Sequence, residues 1–149
     1  MNECIIMKEM AGLFGWIGVW GYGVALLNFF MKYINRKYVN KLSKDKQTFI
    51  NVYRAILKFI VKYHKIAGII ASIAVIIHFY LMYNYRGLSI PGLIAAIVMW
   101  IVFALGIYGF GINKNMKGSW VKIHKILSFI LILLIAFHLM FLRVLFIHK

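Results

Sequence analysis

The sequence predicts an all-α integral membrane protein, a bundle of four transmembrane helices forming a single domain over residues 1–149, on three observations. First, 64% of the 149 residues are hydrophobic and only Glu3, Glu9 and Asp45 are acidic. A soluble domain of this size cannot cover so much apolar surface, so the bilayer is the expected solvent. Second, four apolar runs reach the ~20 residues needed to cross it, at 11–31, 61–83, 91–112 and 120–142. Third, the basic residues are segregated between alternate connections, as topology signals are.

The first span is glycine-rich, with Gly12, Gly15, Gly18, Gly21 and Gly23. Small residues let another helix or a flat ring approach closely. It is preceded by Glu3 and Glu9 rather than a basic region, so it reads as a span and not as a cleaved signal. Cys4 is the single cysteine, which excludes an internal disulfide, and without Cys-x-x-Cys-His there is no covalent c-type haem attachment.

The first connection is long and basic. In its part 46–60, Phe49, Ile50, Val52, Tyr53, Ile56, Leu57 and Ile60 recur at helical spacing between Lys46, Arg54, Lys58 and Lys62. This predicts an amphipathic helix that either lies on the membrane surface or continues directly into the second span. After that span, Gly87 suits a helix stop, Ser89 an N-cap and Pro91 a first-turn position for the third span. The third span carries Gly92 and Gly106, fourteen positions apart. Gly111, Asn113 and Gly118 then punctuate the connection to a fourth span that Ser119 caps.

Net charge is +15, which in a soluble protein would point to nucleic acid. Here residues 32–65 hold ten of the eighteen basic side chains, and Lys114, Lys117, Lys122 and Lys125 add four. Lys8, Arg86, Arg143 and Lys149 remain on the other side. The asymmetry predicts both termini outside and 32–62 and 113–119 in the cytoplasm; Lys outnumbering Arg fourteen to four, with abundant Ile and Asn, points to a bacterial cytoplasmic membrane. Topology with attraction to anionic lipid explains the charge; so does docking of an acidic partner, and the sequence leaves both open. Nucleic acid is not an expected partner.

Five histidines are present, and four of them form two pairs: His64 with His78, and His124 with His138, each fourteen positions apart inside an apolar span. Their surroundings repeat, Val61-Lys62-Tyr63-His64-Lys65-Ile66 returning as Val121-Lys122-Ile123-His124-Lys125-Ile126. Fourteen residues make almost four helical turns, so each pair shares a face with ~21 Å between its members. The second and fourth spans run in the same direction, which brings His64 level with His124 and His78 level with His138. Four imidazoles at two depths, on helices across a bundle diagonal, are the donor set that two non-covalent b haems need. Intramembrane ionisable groups are expensive and functional by default. Another metal, a proton relay or structural histidines would use the same residues, but zinc is short of ligands here. His148, at the C-terminus, reads as an interfacial bystander. Gly92 and Gly106 match the haem spacing, and helix packing is the plainer account of them. Lys65 and Lys125, with Lys62 and Lys122, could meet haem propionates or simply snorkel to the surface.

His-x13-His on the second and fourth helices, beside glycine-rich first and third helices, resembles the di-haem core of respiratory cytochrome b. It is similar, too, to the membrane domain of ferric reductases and NADPH oxidases. The resemblance covers essentially the whole chain. It implies His64, His78, His124 and His138 as axial ligands and Gly92 and Gly106 as haem-packing positions. No Pro-Glu-Trp-Tyr-like quinol motif, further helices or flavin or nicotinamide domain is present, so reduction by a pyridine nucleotide within this chain is not expected.

The function expected is electron transfer across the membrane, between a cytosolic-side donor or quinol and an acceptor at the other face. Membrane lipid, a flavoprotein or iron–sulfur protein at the basic face, and quinone are the candidate partners, the second as part of a larger redox complex. Ferric iron, quinone or superoxide-linked chemistry would make the chain an oxidoreductase. The alternative is a haem- or metal-handling transporter using the same histidines. Paired carboxylates, a nucleophile–base pair and a phosphate loop are lacking, so hydrolytic and transfer chemistry have no support.

Overall fold

A computed structural model describes residues 2–113, 115 and 118–147. Among them the chain is all-helical, with four helices long and apolar enough to cross a membrane. These are α1 (Asn2–Lys37), α2 (Gln47–Arg86), α3 (Ile90–Ile107, extended by a π turn over Tyr108–Ile112) and α4 (Ser119–Ile147).

The apolar runs at 11–31 and 61–83 prove to be the inner parts of much longer helices, of 36 and 40 residues. Between residues 47 and 67 no glycine or proline interrupts the chain, so nothing kinks it. One face of this stretch packs on α1: Ile50 is buried, and the Tyr53 hydroxyl donates to the Met31 carbonyl at 2.9 Å. Of the two geometries the sequence allows for 46–60, the continuous helix is therefore the one formed. Two short 3₁₀ turns, Val39–Lys41 and Lys44–Lys46, reverse the chain. Buried Val39 and a 3.2 Å bond from Arg54 to Asn40 Oδ1 hold that loop against the hairpin.

The other boundaries follow their local chemistry. Gly87, at φ 84°, ends α2 in a backbone region open to glycine. Ser89 caps α3, its Oγ accepting from Gly92 N at 3.4 Å, with Pro91 in the first turn. Widening of α3 into a π turn is not signalled by hydropathy. It places Gly109 under the indole of Trp120, where any side chain would collide, and the indole N–H donates to the Asn115 carbonyl at 3.1 Å.

α1 packs along α2, α3 along α4, and α2 also meets α3. The ring is closed between α1 and α4, where the Tyr22 hydroxyl donates to the Ser128 carbonyl and Phe29 meets Phe129 edge-on at 5.0 Å. This order stands α2 and α4 across the bundle from one another. Ala71, Ala95, Met99 and Leu131 form the core, with Tyr22, Val75, Val98, Leu134 and Ile135 against it. Ala71 lies seven residues from both His64 and His78, and Leu131 seven from both His124 and His138. The apolar core is thus a middle layer between two histidine levels. Large side chains such as Ile73, Ile97 and Leu133 point outward and stay exposed, as lipid-facing residues do. In that solvent, close packing and interhelical hydrogen bonds hold the helices together, because lipid is as apolar as the core.

Candidate functional site: two histidine pairs inside the bundle

The His78 ring on α2 and the His138 ring on α4 meet edge-on, their centres 6.3 Å apart and their planes at 87°. His64 and His124 stand at the other level, on the same two helices. All four rings are half-buried.

Three of the four imidazoles are fixed by the backbone of a neighbouring helix. The Nδ1 of His64 bonds the Ala25 carbonyl at 2.9 Å, that of His78 the Ala11 carbonyl at 2.7 Å, and that of His124 the Val102 carbonyl at 3.0 Å. A carbonyl oxygen only accepts, so each Nδ1 carries the proton. In the neutral imidazole the lone pair is then left on Nε2, free to bind a metal.

The register of these bonds explains an exception. Ala11 and Ala25 are fourteen residues apart, the same period as His64 and His78. On α3 the fourteen-residue counterpart of Val102 is Leu88, which precedes the helix start at Ile90. His138 has no helical carbonyl at that level, and its Nδ1 is buried without a partner.

One turn beyond each of these positions stands a small residue or a conspicuous replacement. Gly15 follows Ala11 by four residues, Gly92 follows Leu88, and Gly106 follows Val102. A Cβ at Gly15 would lie 3.0 Å from Nδ1 and Cε1 of His78. At Gly92 it would lie 2.9 Å from Cε1 of His138, and at Gly106 3.7 Å from Cε1 of His124. These glycines let an imidazole rest on helix backbone. Sequence spacing assigned Gly92 and Gly106 to the face of a bound ring; the structure brings each against a histidine. Beside His64 the equivalent residue is Phe29, which instead packs against Phe129.

The donor set limits what can bind. Among the described residues no group of three or more His, Cys, Asp or Glu is assembled to hold a metal ion. Each level offers two imidazoles, fewer ligands than a structural zinc takes. A planar macrocycle that brings four nitrogens of its own needs only two more ligands. The spacing fits as well: two imidazoles on one metal at ~2.0–2.1 Å have ring centres roughly 6 Å apart. The residues present therefore fit a bis-histidine haem at the His78/His138 level by the distance between ring centres, and at both levels by donor chemistry.

Of the lysines singled out, Lys65 places its ammonium 3.5 Å above the Phe110 ring, and Lys125 is half-buried within electrostatic reach of Lys32. Lys114, Lys117, His148 and Lys149 lie outside the described residues. A groove of about 200 Å³ between α2 and α3 is lined by apolar side chains, Phe79, Ile97 and Trp100 among them, and suits a lipid tail. Sequence reasoning missed Gly15 as distinct from its glycine neighbours. It also missed the Ala11, Ala25 and Val102 carbonyls, which no side-chain motif announces. No protein-family model, curated protein or solved structure matches this chain.

Proposed function

We propose that this chain is a di-haem b-type membrane cytochrome that carries electrons between the two faces of a membrane. The observation carrying this reading is the trio of Nδ1–H to carbonyl bonds, which leaves Nε2 of His64, His78 and His124 as ready ligands. His64 with His124 would hold one haem b, and His78 with His138 the other. Each haem, when bound, supplies a one-electron couple whose potential follows its axial ligands and the surrounding dielectric.

The chain's own residues do the rest. Backbone carbonyls of α1 and α3 fix ring orientation and raise the basicity of the ligand nitrogen. Gly15, Gly92 and Gly106 let the rings sit close to those helices. The middle layer around Ala71, Leu131 and Met99 excludes water between the levels, which stand ~21 Å apart along the axis. Anchored ligands favour a resident group over transported cargo, because cargo must be released and a pre-oriented site resists release.

Purified protein should contain two haems per chain, with a low-spin bis-histidine spectrum on reduction by dithionite. Replacing His78 or His138 by alanine should remove one haem and leave the other; His64 or His124 should remove the complementary one. A colourless preparation would sink the reading, and single replacements that leave haem content at two would overturn the ligand assignment.

A further inference from the structure

The α1–α2 hairpin reaches far past the rest of the bundle on the side of His64 and His124. From His64 to the start of α2 at Gln47 is 17 residues, about 26 Å, while α4 begins five residues, about 8 Å, from His124. The portion of α2 from His64 to Arg86 already covers the ~30 Å hydrocarbon core. The tip of the hairpin therefore stands well outside it.

That protruding part carries an apolar stripe that nothing in the bundle covers. Phe49, Val52, Ile56 and Phe59, spaced by three, four and three residues, are 56%, 54%, 48% and 60% exposed. Lys58 and Lys62 border it on one side, Arg54 lies on the opposite face and bonds Asn40, and Lys41, Lys44 and Lys46 sit at the tip, with Asp45 the one acidic residue between 32 and 65. A contiguous apolar strip bordered by charge marks an interaction surface.

Charge and distance choose the occupant. Lys58 and Lys62 stand near the membrane, but attraction to an anionic lipid surface fades within a Debye length of ~8 Å, so it cannot use Lys41, Lys44 and Lys46 at the tip, ~26 Å out. A second copy would bring ten basic residues against ten, with one Asp45 apiece. A phosphate backbone offers no counterpart for the apolar stripe. We propose that the hairpin is the docking surface of an acidic soluble protein, which lays an apolar patch on Phe49, Val52, Ile56 and Phe59 beside the basic tip and Lys58 and Lys62. The docking rests on the hairpin itself; under the cytochrome reading its occupant is the electron-exchange partner of the neighbouring His64/His124 level.

The test uses the full chain in phosphatidylcholine nanodiscs, with a small acidic flavodoxin as probe and binding followed by interferometry. Affinity should fall as salt rises. The Lys44→Glu/Lys46→Glu variant should bind about tenfold or more weakly, as expected when charge complementarity is reversed. Phe49→Ser/Ile56→Ser should also weaken binding while keeping the salt dependence. Absence of wild-type binding, or equal binding by the charge-reversed variant, overturns the proposal. So does either rival occupant: lipid-borne quenching of a fluorophore on Val52→Cys (in a Cys4→Ser background), or disulfide cross-linking of that cysteine between copies. Haem content, measured on the same samples, reports separately on the cytochrome reading.

Discussion

His138 is the imidazole with the least support, and its contacts make a differential prediction. Its Nδ1 has no partner, and its position depends on the gap at Gly92. A Cβ there would stand 2.9 Å from Cε1 of the ring, inside the distance real side chains tolerate, whereas at Gly106 it would stand 3.7 Å from the His124 ring, an ordinary contact. Gly92→Ala must therefore displace the ring or the helix, at a cost of ~1–3 kcal/mol, while Gly106→Ala should be accommodated. The expected result is loss or a clear spectral and potential shift of one haem in Gly92→Ala, with Gly106→Ala close to wild type in a redox titration. Gly15→Ala, at 3.0 Å from His78, should behave like Gly92→Ala. Equal tolerance of all three would mean that the rings are not seated on these helices. The histidines and their period were legible in the sequence because few residues of that type are present. The carbonyls that orient them were not, because every residue has one and only the packing of α1 on α2 selects Ala11 and Ala25.

Between the histidine levels, α1 and α2 approach closely at small residues. A Cβ at Gly21 would lie 3.0 Å from the Ala71 Cβ and 3.2 Å from the Ala67 carbonyl, and one at Gly18 3.0 Å from Val75. This contact sets the register that delivers the Ala11 and Ala25 carbonyls to His78 and His64. Gly21→Ile should push the helices apart, destabilise the bundle by ~1–3 kcal/mol and weaken both haems together, unlike the one-haem loss expected at Gly92. Unfolding in mixed detergent, read by circular dichroism beside haem absorbance, would check it; loss confined to one haem would argue against the shared register. Helix existence and caps were readable from the chain, since Gly87, Ser89 and Pro91 act locally. Helix lengths were harder, because hydropathy reports where lipid ends and not where hydrogen bonding does. Residues 47–60 stay helical beyond the apolar run because Ile50 and Tyr53 have α1 to pack on.

The two halves of the molecule are built alike, and the likeness extends past the histidines. Position 60 residues on relates His64 to His124, Ala71 to Leu131, Val75 to Ile135 and His78 to His138; position 77 on relates Gly15 to Gly92 and Tyr22 to Met99. Ala71, Leu131 and Met99 lie in the middle layer, with Tyr22, Val75 and Ile135 packed against it. The extra seventeen residues in the first half fall where the protruding hairpin is made, which is why that half carries the long basic arm. Two in-and-out pairs with the same direction require both termini on one face and both basic connections on the other. With fourteen of eighteen basic residues in or beside those connections, the arm should face the cytoplasm. Cys4 tests this directly, being the single cysteine of the chain and exposed. A membrane-impermeant maleimide should label it in intact expressing cells with their outer barrier removed. A Ser43→Cys variant in a Cys4→Ser background, its label at the exposed hairpin loop, should react only after permeabilisation. The opposite pattern would turn the molecule over, carrying the hairpin and the His64/His124 level to the outer face and any acidic partner with them.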